Sequence, residues 1–257
     1  MYAAQLTFEC YRDTTITAVE KAITSLIDSY YFNGQIVGRE FPTVMKDGYF
    51  VTRVVCPQKD ALQGHNNSAV VEHFSTKLSD AGLLQPKVKI LGLDINSDSS
   101  DECESPSWQI LYTTFVHSCS PLRCGDHFSP IALYTLPPIA NGDFKTVLKW
   151  QQDWQACDQI QMNGALKAEF AVLEELTSFN SDLTRRGRDI CKEIERLSKR
   201  PTYYYLYRVG GSDLQSETNR TCPGCDTHWQ VDPPIHGVFS FKCDNCRLVS
   251  NLSWDFQ

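Results

Sequence analysis

The sequence lacks a long hydrophobic run. No stretch of its 257 residues approaches the ~20 consecutive apolar residues that a membrane-spanning helix needs. The first residues, Met1 to Gln5, also lack the basic segment and apolar run of a secretory signal peptide. We therefore expect a cytoplasmic protein with no membrane partner, whose cysteines stay reduced.

Motifs of the common nucleotide-binding and catalytic sites are also missing. The sequence has no Walker loop, no G-x-G-x-x-G, no H-E-x-x-H and no G-x-S-x-G. Carboxylate pairs such as Glu174 and Glu175 lie in a helical pattern, where solubility is enough to explain them. The sequence thus predicts no catalytic residue, no small-molecule substrate and a protein that is not an enzyme.

Positive charge is scarce. The chain has 24 Lys and Arg residues against 31 Asp and Glu residues, a formal net charge of −7. Proteins that bind nucleic-acid phosphates usually show a basic face, and only residues 182–200 are locally basic. Arginines can bind phosphates and tyrosines can stack on bases, so this segment and the tyrosines after it form the candidate nucleic-acid site. Its predicted residues are Arg185, Arg186, Arg188, Lys192, Tyr203 and Tyr205. The alternative is a solvated helix face with Arg–Glu pairs, followed by a half-buried strand.

Cysteine, by contrast, is abundant, with eleven residues. Cys222 and Cys225 form one C-x-x-C pair, and Cys243 and Cys246 form a second one after residues 226–242. Two such pairs at this separation are typical of a structural Zn²⁺ site with four thiolate ligands. The sequence therefore predicts a zinc ribbon, two short hairpins that depend on the ion because so small a sheet cannot fold alone. Two disulfides or a redox pair would need an oxidising compartment or a thioredoxin-like setting, and the sequence indicates neither.

A second group of metal-ligating side chains lies between residues 117 and 127. Cys119, Cys124 and His127 are the candidate ligands of a second metal site, beside a turn that contains Pro and Gly. One alternative is a packed loop with a buried thiol and solvent-facing imidazoles. Another is a Cys–His nucleophilic pair, which residues three apart on a turn often fail to align. From spacing alone we expect one zinc ion per chain rather than two.

The order of hydrophobic patterns predicts an α+β fold in four segments. Residues 1–95 read as β-α-β-β-α-β, the order of a ferredoxin-like split βαβ domain. Residues 96–140 form a loop and β insertion that carries the Cys/His cluster. A helical hairpin over 141–200 and the zinc ribbon over 201–257 follow.

Several stretches resemble a known family. The segments Cys222–Cys225, Phe241–Leu248 and Ser250–Leu252, together with Trp229, are similar to an uncharacterised bacterial family that is described as Zn-ribbon-containing, with nucleic-acid binding suggested. Ser120–His127 is similar to the same family, so the resemblance extends beyond the ribbon. The resemblance implies a zinc ribbon and a bacterial cytosolic origin.

Two functional hypotheses follow. The first is a non-enzymatic zinc-ribbon protein that binds nucleic acid, with RNA preferred, through the basic segment. The alternative is an acidic protein-interaction module, such as an immunity protein or antitoxin that neutralises a basic cognate toxin. Complementary charge would accelerate and orient that encounter.

Overall fold

The computed structural model describes residues 1–103, 105–139 and 142–256, which form two compact units. The first unit takes its described residues from 1–102, 118–120 and 129–145, and the second unit takes the rest. Within the described residues, no helix is both long and apolar enough to cross a membrane.

The first unit contains a four-stranded antiparallel sheet. Along the chain, its main elements are β1 (Tyr2–Phe8), α1 (Ile16–Phe32), β2 (Thr43–Lys46), β3 (Tyr49–Cys56), α2 (Ala69–Lys77) and β4 (Lys87–Leu93). The strand order is β2-β3-β1-β4, and every neighbouring pair is antiparallel. The element order therefore matches the one that the hydrophobic pattern predicts.

Two periodic patterns in the sequence, one of a strand and one of a helix, explain which side chains form the core of this unit. Ala4, Leu6 and Phe8 alternate along β1 and are fully buried, because alternate side chains of a strand face the same side of the sheet. Helix α1 begins after Thr15, whose side chain accepts a hydrogen bond from the Ala18 N–H. Its buried face recurs at helical spacing and packs in the same core (Val19, Ile23, Leu26, Ile27 and Tyr30).

The second unit contains a six-stranded sheet and most of the helices. Its elements are β5 (Gln109–Leu111), β6 (Leu122–Cys124), α3 (Lys145–Asn163), α4 (Glu169–Thr177), α5 (Asp182–Ser198), β7 (Thr202–Leu206), α6 (Leu214–Thr218), β8 (Gln230–Ile235), β9 (Phe239–Cys243) and β10 (Leu248–Ser250). The strand order is β6-β5-β7-β10-β9-β8.

Strand β7 lies near the middle of this sheet. It pairs in parallel with β5 on one side and with β10 on the other, and all five of its residues are buried. A strand that is covered on both faces is expected to be continuously apolar or aromatic, as Tyr203, Tyr204, Tyr205 and Leu206 are.

The structure differs from the predicted division of the chain in two respects. Residues 141–200 do not form one hairpin of two helices: the chain leaves the helix after Thr177, and Ser181 caps a new one by accepting a hydrogen bond from the Thr184 N–H. The predicted ribbon over 201–257 is not a separate domain either. Its strands β8, β9 and β10 continue the sheet that contains β5, β6 and β7.

Helix α5 approaches β7 closely because it carries a glycine at the contact. A Cβ on Gly187 would lie 2.2 Å from Tyr204 Cε2 and 2.8 Å from Trp150 Nε1. Both rings are almost fully buried, so neither can move aside without disturbing the core. The glycine thus fixes the distance between α5 and the sheet.

Gly187→Ala should destabilise the second unit. Alanine favours a helix interior by about 1 kcal/mol over glycine, but overpacking a core costs about 1–3 kcal/mol and should prevail here. The matched control is Gly64→Ala, because a Cβ at Gly64 meets no atom within 4 Å. Thermal unfolding of the two variants provides the measurement, and a Tm of Gly187→Ala at or above that of the unsubstituted protein would contradict the contact.

Candidate metal centre and basic groove

The four cysteines of the two C-x-x-C pairs come together in the second unit. Cys222, Cys225, Cys243 and Cys246 place their sulfur atoms within 4.8 Å of one another, with Cys225 Sγ and Cys243 Sγ 3.5 Å apart. Four thiolates in this arrangement can hold one metal ion tetrahedrally and leave no position open for a substrate. The predicted grouping of the cysteines is confirmed.

Each pair lies on a tight turn with the same backbone feature. The residue after the second cysteine, Asp226 in one pair and Arg247 in the other, has a left-handed conformation, with φ of 55° and 53°. This reverses the chain directly after the sulfur. In the first turn, a Cβ on Gly224 would lie 2.7 Å from Cys246 Sγ, so a side chain at this position would collide with the opposite cysteine.

A buried ion pair anchors the chain just before the first turn. Glu217 is almost fully buried. It accepts a hydrogen bond from Arg208 at 2.8 Å and forms an ion pair with Arg220 at 3.0 Å. The Arg220 guanidinium also lies over the rings of Trp229 and Phe241, 4.6 and 3.8 Å from their centroids. These contacts hold the first turn against β9, from which the second turn continues.

The cysteines differ in proton affinity. Hydrogen bonds from the side chain and backbone of Thr227 lower the pKa of the Cys225 thiol to about 6. Burial raises the pKa of Cys222 to about 11. At neutral pH Cys225 is therefore mostly deprotonated and can bind a cation as a thiolate. Cys222 is protonated, so a cation must displace its proton.

The second predicted cluster is only partly assembled. Cys124 Sγ lies 3.7 Å from His127 Nδ1 in the second unit. Cys119 is not in the group of described ligand atoms that contains Cys124 and His127. It is buried with Met1 and Val37 instead, so the structure does not bear out its predicted role as a ligand beside Cys124. Cys103 takes that place in the described structure. Sequence spacing could not reveal it, because residues 94–107 show no pattern beyond an acidic surface loop.

The predicted tyrosines of the nucleic-acid site are inside the protein. Tyr203 and Tyr205 are each only 3% exposed, so the predicted stacking of bases on them is wrong. The tyrosines occupy β7 because a central strand needs large apolar surfaces on both faces. Tyr203 also donates a hydrogen bond to Asp244 at 2.5 Å.

The predicted basic residues lie on α5, and most of them have acidic neighbours. Arg185 contacts Asp182, Arg186 contacts Asp153 at 2.8 Å and Lys192 contacts Asp189 at 2.8 Å. Arg188 lies over the Phe179 ring, 3.9 Å from its centroid. Exposed pairs of this kind are worth at most about 1 kcal/mol, so an incoming phosphate can compete with the carboxylates.

A groove lies between α5 and the second cysteine turn. It has a volume of about 490 Å³, and its lining includes Arg188, Lys192, Arg196 and Arg247 with one carboxylate, Glu195. Arg247 donates to Glu195 at 3.0 Å, which fixes the turn against the helix. Arg247 was not predicted as a site residue. Arg196 lies in the predicted basic segment 182–200 but was not among its named site residues, although it continues the spacing of Arg188 and Lys192.

Fold and site together define a mixed α/β protein of two compact units, with a four-cysteine cluster able to hold a metal ion. The chain is 44% identical over 248 residues to an uncharacterized protein of Haemophilus influenzae, across 95% of both chains. A second uncharacterized H. influenzae protein is 45% identical over 198 residues, which is 75% of this chain and 97% of the relative. The chain belongs to the same uncharacterised bacterial family as these proteins.

Three family models match successive parts of the chain, each described as a domain of unknown function: DUF8589 over residues 1–92, DUF2310 over 103–207 and DUF8594 over 211–256. The last two both contribute strands to the six-stranded sheet. A crystal structure provisionally named an antibiotic biosynthesis monooxygenase, from Deinococcus radiodurans, is similar at 12% identity over 37% of this chain and 93% of that chain. Its TM-score of 0.27 is too low to support any inference.

Replacing Cys225 by Ser should release the metal and destabilise the whole second unit. The metal would link Cys225 to the second cysteine turn, which joins β9 to β10, and β10 pairs with β7, so the damage should spread beyond the ribbon. We expect the Tm of this unit to fall by more than roughly 10 °C, since a structural zinc ion contributes several kcal/mol and each is worth about 2–4 °C. Cys157→Ser, outside both clusters, should retain metal and stability. Elemental analysis and calorimetry measure both quantities, and full metal content in Cys225→Ser would contradict the assignment.

Thr227→Val should make metal binding depend more steeply on pH. Without the Thr227 hydroxyl the pKa of Cys225 rises, so more thiol protons must leave at neutral pH when the ion binds. The affinity for the metal should fall with decreasing pH in both the variant and the unsubstituted protein, because protons compete for the thiolates. Between pH 8 and 6, this affinity should fall more steeply in the variant. Calorimetric titration in two buffers of different ionisation enthalpy counts the protons released. Equal counts at pH 7 would show that the Thr227 hydroxyl does not influence the cluster.

Proposed function

We propose that this chain is a non-enzymatic zinc-ribbon protein that binds single-stranded nucleic acid, with RNA preferred, in the groove beside the second cysteine turn. Zinc is proposed because four soft thiolates in a closed tetrahedral set suit Zn²⁺ far better than Mg²⁺ or Ca²⁺. We also propose that the first unit is a ferredoxin-like domain, on the basis of its strand order β2-β3-β1-β4.

The groove carries the proposal because it concentrates positive charge in an acidic chain. Four cations line it against one carboxylate, whereas the whole chain has a net charge of −7. Three of the four cations form ion pairs, Lys192 with Asp189, Arg196 with Glu193 and Arg247 with Glu195, so a phosphate would compete with these carboxylates. Four thiolates around a divalent ion carry a formal charge of −2. Attraction for phosphate must therefore come from α5 and Arg247 rather than from the metal centre.

The spacing of the cations along α5 suits an extended strand. Arg188, Lys192 and Arg196 are separated by four residues each, which is about 6 Å along a helix axis. This rise is comparable to the distance between successive phosphates of a single strand, so each cation could contact a different phosphate. Arg247 faces the helix from the opposite wall and could contact the same backbone or stack on a base.

The alternative partner remains a basic protein, such as a toxin neutralised by this chain, for which the overall negative charge is the supporting observation. The two hypotheses differ in what the groove cations do. Nucleic acid needs them, whereas a basic partner would bind better without them.

Lys192→Glu combined with Arg196→Glu should weaken nucleic-acid binding at the groove and make it less dependent on salt. Both side chains are exposed, so the fold should survive. Loss of two phosphate contacts should lower the slope of log K against log salt by about 1.4, because each contact on a single strand contributes about 0.7. The measurement is fluorescence anisotropy with a labelled 20-nucleotide RNA, and with the same sequence as DNA, across a salt series.

The matched control is Lys21→Glu with Lys77→Glu, two exposed helix positions of the first unit that change the net charge equally. It should bind as the unsubstituted protein does. Equal binding by the groove variant would exclude the groove. Absence of binding by the unsubstituted protein at low salt would overturn the nucleic-acid hypothesis and favour a protein partner.

A further inference from the structure

Three metal-ligating side chains of the second unit meet away from the four-cysteine cluster. Cys103, Cys124 and His127 place their ligand atoms within 4.8 Å of one another. The 3.7 Å between Cys124 Sγ and His127 Nδ1 is close to the ~3.5 Å that two ligands of one tetrahedral zinc ion would span, given Zn–S of about 2.3 Å and Zn–N of about 2.0 Å. The spacing fits an ion between them without rearrangement.

The turn that carries Cys124 and His127 is built rigidly. Phe128, in a left-handed conformation with φ of 62°, donates its N–H to the Cys124 carbonyl at 2.8 Å. A Cβ on Gly125 would lie 2.2 Å from the Trp108 ring, so only glycine allows this approach. The turn is therefore held in place before any ion binds.

The segment after Cys103 is fastened to the same turn. The Ser107 N–H donates to Asp126 Oδ2 at 2.7 Å, and the Gly125 N–H donates to the Trp108 carbonyl at 2.9 Å. Cys103 thus lies a few residues from two hydrogen bonds that secure its segment beside β6. Ligands from two parts of the chain that already lie together lose little conformational freedom on binding a metal.

We infer that Cys103, Cys124 and His127 bind a second zinc ion. Two sulfurs and one imidazole nitrogen are a donor set that selects Zn²⁺ over the harder divalent ions. Cys124 is fully buried and His127 is exposed, so the ion would lie at the surface end of β6 with one face toward solvent. A water molecule can take the fourth position of the tetrahedron. This inference does not depend on nucleic-acid binding.

The test is zinc content per chain in full-length protein purified without chelator. His127→Ala is the first variant, because an exposed imidazole is removed with little effect on the core, and Cys103→Ser is the second. Each should contain one zinc ion fewer than the unsubstituted protein, whatever the four-cysteine cluster holds. Cys119→Ala and Cys157→Ser, which alter cysteines outside both clusters, should lose none. Replacement by Co²⁺ should show one set of visible bands that disappears in His127→Ala.

Unchanged zinc content in both His127→Ala and Cys103→Ser would overturn the second site. A disulfide between Cys103 and Cys124 would overturn it too, and thiol titration of the denatured protein without reductant detects this. A zinc site leaves all eleven thiols reactive, whereas a disulfide removes two of them.

Discussion

The second unit depends on the complete burial of β7. This strand has neighbours in parallel on both sides and is covered on both faces, so the other elements must be placed around it. Tyr204 faces α5 and Trp150, while Tyr205 packs among aromatic rings that include Tyr112 and Phe239, 4.9 and 5.6 Å away between centroids. With its apolar face fixed against β7 through Gly187, α5 can only direct its cations outward.

The pairing with β7 also determines which part of the protein the cysteine cluster can stabilise. In an isolated ribbon, a metal ion holds together two hairpins that have little else to support them. Here β10 follows directly from the second cysteine turn and pairs with β7, in the middle of a larger sheet. A metal ion held by the four cysteines would therefore stabilise a strand on which the whole unit relies. The groove along α5 exists because that strand and its turn lie beside the helix.

Local signals in the sequence predicted the local features well. The paired C-x-x-C turns and the alternation of β1 describe contacts within short distances, and the structure contains them. Tyr203 and Tyr205 show what local signals cannot predict. A tyrosine-rich strand next to a basic helix resembles a binding surface, and only the neighbouring strands of the sheet reveal that these tyrosines are buried. Cys103 lies about twenty residues before Cys124 in an unpatterned acidic loop, so only the tertiary structure brings the two together. The break before α5 was missed because leucines continue at helical spacing across Ser181, whose capping role competes with that pattern.

The pairing of β7 also determines the order in which the protein can form during synthesis. Its partner β5 leaves the ribosome about ninety residues earlier, and β10 follows more than forty residues later. The strands of the first unit all come from residues 2–93, so that sheet can form while the rest is being translated. The second sheet must wait for β10, and until then the aromatic strand β7 has one unpaired edge that is exposed. Because of this delay, we expect chaperones to bind the second unit while the chain is being synthesised.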